Sequence, residues 1–380
     1  MLYLNHAATT YPKPGQVLEA VARSLEDAPQ SQYRGVEAGE HRKDVTKLCR
    51  GNLARLFQIG NPERIFFTGG STQALNTAIL GLRSTRRRIV YTAAEHNAVL
   101  RAIFDGLQDE IRSGEIIPVE VGCDRGGYVD MEVMEKAITE DTALVIVNHS
   151  SNVTGAVQDI TQAGKWARKN GACFLADVSQ SAGALPIDVE AMNIDMLAFT
   201  GHKGLYGIQG TGGLYVREGI ALRPLLFGGT GKDSRTLVPK EPFYEVGTMN
   251  TPGIAGLNAG VEFVLETGLE EIMTREKKMM KMLYQGLKEI PGVTVYGHRQ
   301  PEGTALSFNV NGFSPSDTGY ILAGTYGIQV RTGLHCAPLI HRYLGTEKEG
   351  TVRVSISAMT KEKEIEVFLG AMREIGGSGL

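Results

Sequence analysis

The sequence is poor in several features that define other classes of protein. It has four cysteines among 380 residues, and they form no CxxC pair: Cys49, Cys123, Cys173 and Cys336. This scatter argues against a zinc site and a disulfide framework, so we expect no bound metal and a reducing, cytoplasmic setting. No apolar run approaches the ~20 residues of a membrane span, so we expect no membrane contact. The start of the chain lacks a basic region and a long apolar stretch, which predicts no signal peptide.

The chain also lacks a large excess of positive or negative charge. The formal net charge is -3, which gives no electrostatic reason to expect a nucleic-acid partner. Hydrophobic residues make up 42% of the chain and charged residues 21%, as in an ordinary soluble globular protein. A chain of 380 residues is long enough for a large core and two domains.

Helical and strand patterns alternate from about residue 15 to residue 217. The strand-like runs end at Thr68, Thr92, Val121, Asn148 and Val178, and one of the intervening helices is expected over residues 97–112. This alternation predicts an α/β fold with a mostly parallel sheet covered by helices on both faces. Because ligands bind at the carboxyl ends of strands in such sheets, polar residues just after these runs are candidate site residues.

The pattern changes after Gly247. We expect a long helical segment over residues 254–290 with a break at Gly268, followed by short strands and a terminal helix, at residues 293–296, 305–310, 328–331, 352–357 and 361–375. This predicts a smaller α+β C-terminal domain, made of residues 1–14 plus 251–380, beside a large domain of residues 15–250. The segment 227–242 is rich in Gly, Lys and Pro and predicts a loop or hairpin.

Lys203 and Asp177 point most directly to chemistry. Lys203 lies in Thr200-Gly201-His202-Lys203-Gly204, directly after an apolar run. Asp177 also follows small or apolar residues and should be largely buried, which is costly for a carboxylate unless it is paired. An amine for a Schiff base and a carboxylate for a protonated ring nitrogen are what pyridoxal 5'-phosphate needs from a protein. We therefore predict this cofactor, although Asp177 as a structural helix cap is an alternative.

Other candidates also follow strand-like runs. Ser71 and Thr72, after Gly69-Gly70, would bind a phosphate at a helix start, or simply cap that helix. His96 would stack on an aromatic cofactor or shuttle a proton, or would be a capping or surface residue. Asn152 would donate a hydrogen bond to a phenolic oxygen of the cofactor, or form a turn. Gln180 lies three residues after Asp177, near enough to touch the cofactor ring.

Two residues of the C-terminal part have separate interpretations. Cys336 lies in Val330-Arg331-Thr332-Gly333-Leu334-His335-Cys336-Ala337-Pro338, and a thiol on such a loop, next to a histidine and an arginine, suits a low-pKa nucleophile. The other three cysteines look like buried fillers. Arg353 alternates with apolar neighbours on a strand. It would bind a substrate carboxylate in two-point fashion, or face solvent.

Together these segments resemble a known family. In order and spacing they are similar to the pyridoxal-phosphate enzymes of the class V aminotransferase fold, and within it to the cysteine desulfurase and selenocysteine lyase family. Leu4-Asn5-His6-Ala7-Ala8-Thr9-Thr10 resembles the opening motif of that family, and Tyr33-Arg34-Gly35 resembles its His-Arg-Gly element. The short loop around Cys336 is similar to the group II branch, with Leu334 where that branch usually has His.

The resemblance implies a fold-type-I, seven-stranded sheet and a role for each matching residue. Lys203 would hold the cofactor covalently, Asp177 would pair with the ring nitrogen and His96 would stack on the ring. Asn152 and Gln180 would contact the ring oxygen. The implied phosphate ligands are Ser71, Thr72, Thr200, His202 and, from the neighbouring subunit of a homodimer, Thr248. The implied substrate contacts are Arg353, Arg34, Asn5 and Ala7, with Cys336 as sulfur acceptor.

These observations predict a cysteine desulfurase that releases sulfur from L-cysteine as a persulfide on Cys336 and produces L-alanine. A sulfur-acceptor protein would be its partner. The alternatives on the same scaffold are a selenocysteine lyase, a transaminase, a kynureninase-like hydrolase and an amino-acid epimerase. A non-catalytic scaffold or sulfur-carrier binding protein with a vestigial site is a further alternative, which the full set of Lys203, Asp177 and His96 disfavours.

Overall fold

The computed structural model of the chain contains three β-sheets with helices packed against them. It describes residues 1–26, 44–229, 237–238, 244–297 and 299–378. The strands of these residues are β1 (Leu2–Tyr3), β2 (Ile65–Thr68), β3 (Arg88–Thr92), β4 (Ile117–Val121), β5 (Thr142–Asn148), β6 (Cys173–Asp177), β7 (Met196–Thr200), β8 (Gly212–Val216), β9 (Val293–Tyr296), β10 (Ala305–Val310), β11 (Ile328–Gln329), β12 (Arg331–Gly333) and β13 (Thr351–Ser355). The helices are α1 (Gly15–Glu26), α2 (Val45–Phe57), α3 (Ser71–Gly81), α4 (Asn97–Phe104), α5 (Gln108–Ser113), α6 (Met131–Ala137), α7 (Ile160–Lys169), α8 (Thr251–Thr267), α9 (Leu269–Lys288), α10 (Pro315–Tyr326), α11 (Ile340–Leu344) and α12 (Glu362–Ser378).

The largest sheet has seven strands in the order β2-β8-β7-β6-β5-β3-β4. β8 is antiparallel to both of its neighbours, β2 and β7, and the remaining neighbouring strands are parallel. The predicted α/β fold with a mostly parallel, seven-stranded sheet is therefore confirmed.

Apolar side chains on both faces of this sheet explain its strand sequences. Along β7, Leu197 and Phe199 pack into one core, whereas Met196 and Ala198 pack into a second core on the opposite face. All five residues of β7 are buried. A parallel strand that is covered on both faces needs apolar residues at consecutive positions rather than at alternate ones.

A smaller antiparallel sheet, in the order β12-β13-β10-β9, forms the second part of the molecule. Its core contains Phe308 and Val352 from the sheet together with Leu283 of α9 and Phe368 of α12. β1 joins this part through a parallel pairing with β11. α8 packs against α1 and α2, and its Leu257 lies in the core of the large sheet. The domain bounds 1–14, 15–250 and 251–380 stay a prediction.

The expected elements agree with the observed ones at Gly268 and differ at two other places. The break at Gly268 is present, between α8 and α9, where this glycine has φ 85°. The single helix expected over residues 97–112 was wrong, because α4 and α5 are separate. A Cβ on Gly106 between them would lie 2.6 Å from the Ala102 carbonyl oxygen. The single strand expected over residues 328–331 was also wrong, since β11 pairs with β1 and β12 pairs with β13. Most of the expected loop over residues 227–242 lies outside the described residues.

The described residues contain neither a membrane-spanning helix nor a metal cluster. No helix among them combines the length and apolar content that crossing a membrane requires. No group of three or more His, Cys, Asp or Glu side chains in the described ranges is arranged to hold a metal ion. All four cysteines are described, and each has a free thiol.

Candidate active site

The parallel strands of the large sheet end at one edge, and a cavity of about 640 Å³ opens there. In the strand register, Asn148 at the end of β5 pairs with Asp177 at the end of β6, and Thr200 at the end of β7 pairs with Gly212. The predicted site residues that line the cavity are Ala7, Ser71, Thr72, His96, Asn152, Gln180, Thr200, His202, Lys203 and Arg353. Residues spread over most of the chain thus meet at one place.

Lys203 lies on a tight loop that follows β7. A Cβ on Gly201 would lie 2.3 Å from Thr211 Oγ1, and one on Gly204 would lie 2.5 Å from the Ala182 carbonyl oxygen, so glycine is required at both positions. The pKa of Lys203 is lowered to about 8, mainly by burial; the Asp177 carboxylate opposes this effect, and the nearby guanidinium of Arg353 adds to it. A lysine with this pKa can release or accept a proton near neutral pH.

Asp177 is 1% exposed at the end of β6. Its Oδ1 accepts hydrogen bonds from the Ser179 backbone N–H at 2.9 Å and from Ser179 Oγ at 2.5 Å. Its charge acts on both Lys203 and His96, because it raises the pKa of each of them. Asp177 is therefore a buried negative charge at the edge of the sheet where the cavity opens.

His96 caps α4 and also lines the cavity. Its Nδ1 accepts a hydrogen bond from the Ala98 backbone N–H at 3.0 Å, which leaves the proton of the neutral ring on Nε2. Burial lowers the pKa of His96 to about 4, and the positive charge of Lys203 lowers it too. The imidazole is therefore a neutral, flat ring near neutral pH.

The start of α3 forms an open anion cradle in the cavity wall. Gly70 has φ 144°, and no side chain caps the free N–H groups of this helix. Gly69, Gly70, Ser71 and Thr72 all line the cavity. Uncapped N–H groups and the positive end of the helix dipole favour a phosphate or another anion.

Arg353 is fully buried on β13 and lines the cavity. Its Nη1 donates to the Asn152 carbonyl oxygen at 2.9 Å, and its Nη2 donates to Asn5 Oδ1 at 2.8 Å. The alternative of a solvent-facing arginine is wrong, because the side chain is 0% exposed and its guanidinium donates to two neighbouring residues. Burial, together with the positive charge of Arg331, lowers the pKa of Arg353 to about 9.

Cys336 is half-buried on the loop between β12 and α11. Arg331 Nη2 donates a hydrogen bond to its Sγ at 3.2 Å. The Cys336 carbonyl oxygen accepts from the Asn97 N–H at 2.7 Å, and the His335 carbonyl oxygen accepts from Asn152 Nδ2 at 2.6 Å. The loop that carries Cys336 is therefore tied to the start of α4, beside His96, and to Asn152.

The remaining predicted residues lie in three different settings. Gln180 Nε2 donates to the Ala7 carbonyl oxygen at 3.1 Å, so both lie at the cavity wall. Thr248 lines a second cavity of about 260 Å³, and this cavity shares Gly69, Gln73 and Gly210 with the first one. Arg34 lies outside the described residues.

The sequence interpretation missed four polar residues that line the cavity, Gln73, Asn76, Arg331 and His335, and the buried Glu95 next to His96. Arg331 and His335 belong to the motif that contains Cys336. Glu95 is fully buried, and burial raises its pKa to about 8. Its Oε1 accepts from Thr92 Oγ1 at 2.7 Å and from the Asn148 N–H at 2.8 Å. The signal for Glu95 was its place next to His96, three residues after the end of β3.

Comparisons with known proteins cover both parts of the molecule. The family described as Aminotransferase class-V matches residues 2–368. A probable cysteine desulfurase of Methanothermobacter thermautotrophicus is 34% identical, covering 100% of this chain and 95% of the relative. A probable cysteine desulfurase of Pyrococcus abyssi is 33% identical, covering 99% and 94%. The apo structure of a cysteine desulfurase from Thermococcus onnurineus NA1 has a TM-score of 0.88 and 33% identity, covering 99% of this chain and 95% of that one.

Proposed function

Since the chain belongs to the class-V aminotransferase family, we propose that it is a pyridoxal-phosphate-dependent cysteine desulfurase. It would take sulfur from L-cysteine onto Cys336 and release L-alanine. The observation that carries this proposal is the Cys336 thiol, which lies 3.2 Å from Nη2 of Arg331, while Arg331 lines the same cavity as Lys203. A transaminase or an epimerase has no use for a thiol placed in this way.

The side chains at the cavity suit pyridoxal phosphate. The uncapped start of α3 offers N–H groups to the phosphate. Among the described residues, the buried Nδ1 of His202 has no hydrogen-bond partner. In the tautomer that carries the proton on Nδ1, this nitrogen would donate a hydrogen bond to the phosphate. Lys203 supplies the amine, Asp177 supplies a carboxylate for the ring nitrogen, and His96 supplies a neutral ring for stacking. When bound, this cofactor withdraws electrons from the α-carbon of an amino acid.

Lys203 is the proposed acid–base group. With a pKa of about 8, part of the Lys203 population is the free amine near neutral pH, and this amine can take the α-proton of the substrate at Nζ. Well-placed acid–base catalysis of this kind contributes ~10²–10⁴-fold to a rate. Asp177 keeps its charge close to Lys203 and so holds the amine near the useful range.

Cys336 is the proposed nucleophile. Its Sγ, as thiolate, attacks the sulfur of the substrate, so that an S–S bond forms while the C–S bond of the substrate breaks. The electron pair of the broken bond stays with the carbon fragment, which takes up a proton and leaves as alanine. Arg331, which already donates to Sγ, would stabilise negative charge on the thiolate and on the persulfide.

Arg353 is the proposed carboxylate ligand of the substrate. Its planar guanidinium matches a carboxylate in two-point fashion, and it lines the cavity with Asn152. Asn5, which accepts a hydrogen bond from Arg353 Nη2, holds the guanidinium in place. Ala7 and Arg34 complete the proposed substrate contacts, with Arg34 outside the described residues.

The proposed assembly is a homodimer with an acceptor protein as its partner. Thr248 lines a cavity that shares Gly69, Gln73 and Gly210 with the cavity of Lys203, which supports a role for Thr248 at the phosphate of a neighbouring subunit. The persulfide on the half-buried Cys336 would pass to a thiol of the acceptor protein. Four free thiols favour a reducing compartment such as the cytoplasm.

A product assay with Cys336→Ala tests the function. The parent protein should form equal amounts of alanine and sulfide from cysteine in the presence of a reductant, and Cys336→Ala should lose at least about 10²-fold of this activity. Cys173→Ala, which removes another half-buried thiol, is the control and should remain active. Unchanged desulfuration in Cys336→Ala, or a keto acid as the product, would contradict the proposal. Activity confined to selenocysteine would indicate a selenocysteine lyase, because the weaker C–Se bond can break without thiol attack.

A further inference from the structure

The backbone that carries Lys203 is held by a short segment near the start of the chain. The His202 carbonyl oxygen accepts three hydrogen bonds from this segment: from Thr9 Oγ1 at 3.2 Å, from the Thr10 N–H at 3.0 Å and from Lys13 Nζ at 2.8 Å. The next carbonyl oxygen, of Lys203 itself, accepts from Thr10 Oγ1 at 2.8 Å. We call residues 4–13 the N-terminal strap.

The other end of the N-terminal strap is anchored on β11 and on β13 of the smaller antiparallel sheet. The Leu4 N–H donates to the Gln329 carbonyl oxygen and the Ser355 N–H donates to the Leu4 carbonyl oxygen, both at 2.9 Å. The Ala7 N–H also donates to Ser355 Oγ at 2.9 Å. Because the strap is fixed at this end, Thr10 and Lys13 hold the His202–Lys203 backbone against a rigid support.

A half-buried lysine at position 13 costs desolvation free energy, so we expect its ammonium group to have a role. Lys13 is half-buried, and burial lowers its pKa to about 8. Taking an ammonium group out of water costs free energy that one carbonyl contact only partly offsets. An apolar side chain would avoid that cost, but it would leave the His202 carbonyl without its charged donor, which makes the strongest kind of N–H···O bond.

We propose that Lys13, acting with Thr10, is a positioning residue that fixes the peptide between His202 and Lys203 and thereby sets where the Lys203 amine reaches into the cavity. This inference rests on the proposed role of Lys203 in the reaction. Lys13 is not among the described residues that line the cavity, so it acts through the Lys203 backbone rather than on the substrate. A misplacement of about 1 Å lowers a rate by ~10²-fold.

We therefore expect substitution of Lys13 to lower kcat while KM changes little. Lys13→Met removes the donor and keeps much of the apolar stem, so kcat for cysteine should fall ~10–100-fold, while KM stays within about threefold because Arg353 and the start of α3 are untouched. Lys13→Arg still donates to the His202 carbonyl and should restore most of kcat. Lys165→Met, at an exposed lysine of α7, is the matched control and should behave as the parent.

A second readout does not depend on turnover. Pyridoxal phosphate is added to the apoprotein, its covalent bond to Lys203 is trapped with borohydride at successive times, and the Lys203 peptide is quantified by mass spectrometry. We expect the rate of bond formation to fall ~10–100-fold in Lys13→Met and less in Thr10→Val, with the melting temperatures of both variants close to that of the parent. If Lys13→Met does not fold, Thr10→Val and Lys13→Arg still decide the question.

The outcomes separate this inference from the proposed function. Parent-like rates of bond formation and of turnover in Lys13→Met or Thr10→Val would overturn the positioning role even if the parent desulfurates cysteine. Slow bond formation in these variants would support the positioning role even if the parent shows no desulfuration, which would instead overturn the proposed function. Failure of Lys13→Arg to restore the rate, with Lys13→Met slow and folded, would overturn the role of the hydrogen bond.

Discussion

The loops that carry Lys203 and Cys336 are both held firmly, but by different means. The Lys203 loop relies on glycines that pack closely on their neighbours: Gly201 lies against the Thr211 side chain and Gly204 against the Ala182 carbonyl oxygen. The Cys336 loop instead places two side-chain-bearing residues in the left-handed region, with φ 51° at His335 and φ 60° at Cys336. Such residues cost about 1–3 kcal/mol each and persist only where the surroundings hold them.

The two loops are also held by different parts of the molecule. The Lys203 loop is held by its own sheet and by the N-terminal strap. The Cys336 loop is held from both parts of the molecule, by Asn97 and Asn152 on the large-sheet side and by Thr351 of β13, whose Oγ1 lies 2.9 Å from His335 Nε2. We therefore expect changes at the first loop to affect every step of the reaction, and changes at the second loop to affect sulfur transfer alone.

Lys203→Ala should give the largest effect, because it removes the group that serves all steps. Turnover of cysteine should fall by at least ~10²–10⁴-fold, and the covalently bound cofactor chromophore should disappear. Cys336→Ala is the comparison variant, since it should lose desulfuration but keep the chromophore. A Lys203→Ala protein that is yellow and active would contradict the expectation that changes at the Lys203 loop affect every step of the reaction.

Asp177→Asn should change the titration of Lys203. The Asp177 carboxylate raises the pKa of Lys203, against the burial that lowers it, so removal of this charge should move the pKa below about 8. The check is the pH dependence of Lys203 labelling by an amine-reactive reagent in the apoprotein. Its midpoint should shift to lower pH in Asp177→Asn and stay in place in Asp105→Asn, an exposed control. A midpoint that rises would contradict the placement of these charges.

Thr351→Val should give the smallest effect and should be confined to the Cys336 loop. It removes the hydroxyl that lies 2.9 Å from His335 Nε2 and 3.0 Å from Ser307 Oγ. A net hydrogen bond contributes about 0.5–1.5 kcal/mol, so desulfuration should fall ~3–10-fold. Thr351→Ser keeps a hydroxyl and should remain near the parent rate. If Thr351→Val slowed the labelling of Lys203 by the amine-reactive reagent as much as it slowed desulfuration, the two loops would not be independent.

The large sheet and the residues at its edge were predictable from the sequence. Apolar runs marked the strands, and polar residues directly after those runs, such as Asp177 and Lys203, fell at the edge because parallel strands share one carboxyl end.

The surroundings of Cys336 and Arg353 were not predictable in the same way. A strand pattern shows which face Arg353 lies on, but it does not show the hydrogen bond to Asn5, which is 348 residues away in the sequence. The left-handed backbone at His335 and Cys336 depends on partners such as Asn152, 183 residues from His335. Contacts of this range arise from tertiary packing, which local propensity does not encode.

The most direct test of the central claim, that Lys203 and Cys336 act on one substrate in one cavity, is mass spectrometry of the Cys336 peptide after a single turnover with cysteine. The account predicts that the cofactor-loaded parent protein gains one sulfur atom on Cys336 and forms one equivalent of alanine, and that Lys203→Ala does neither. Alanine formed without sulfur on Cys336, or sulfur found on Cys336 in the Lys203→Ala protein, would contradict it.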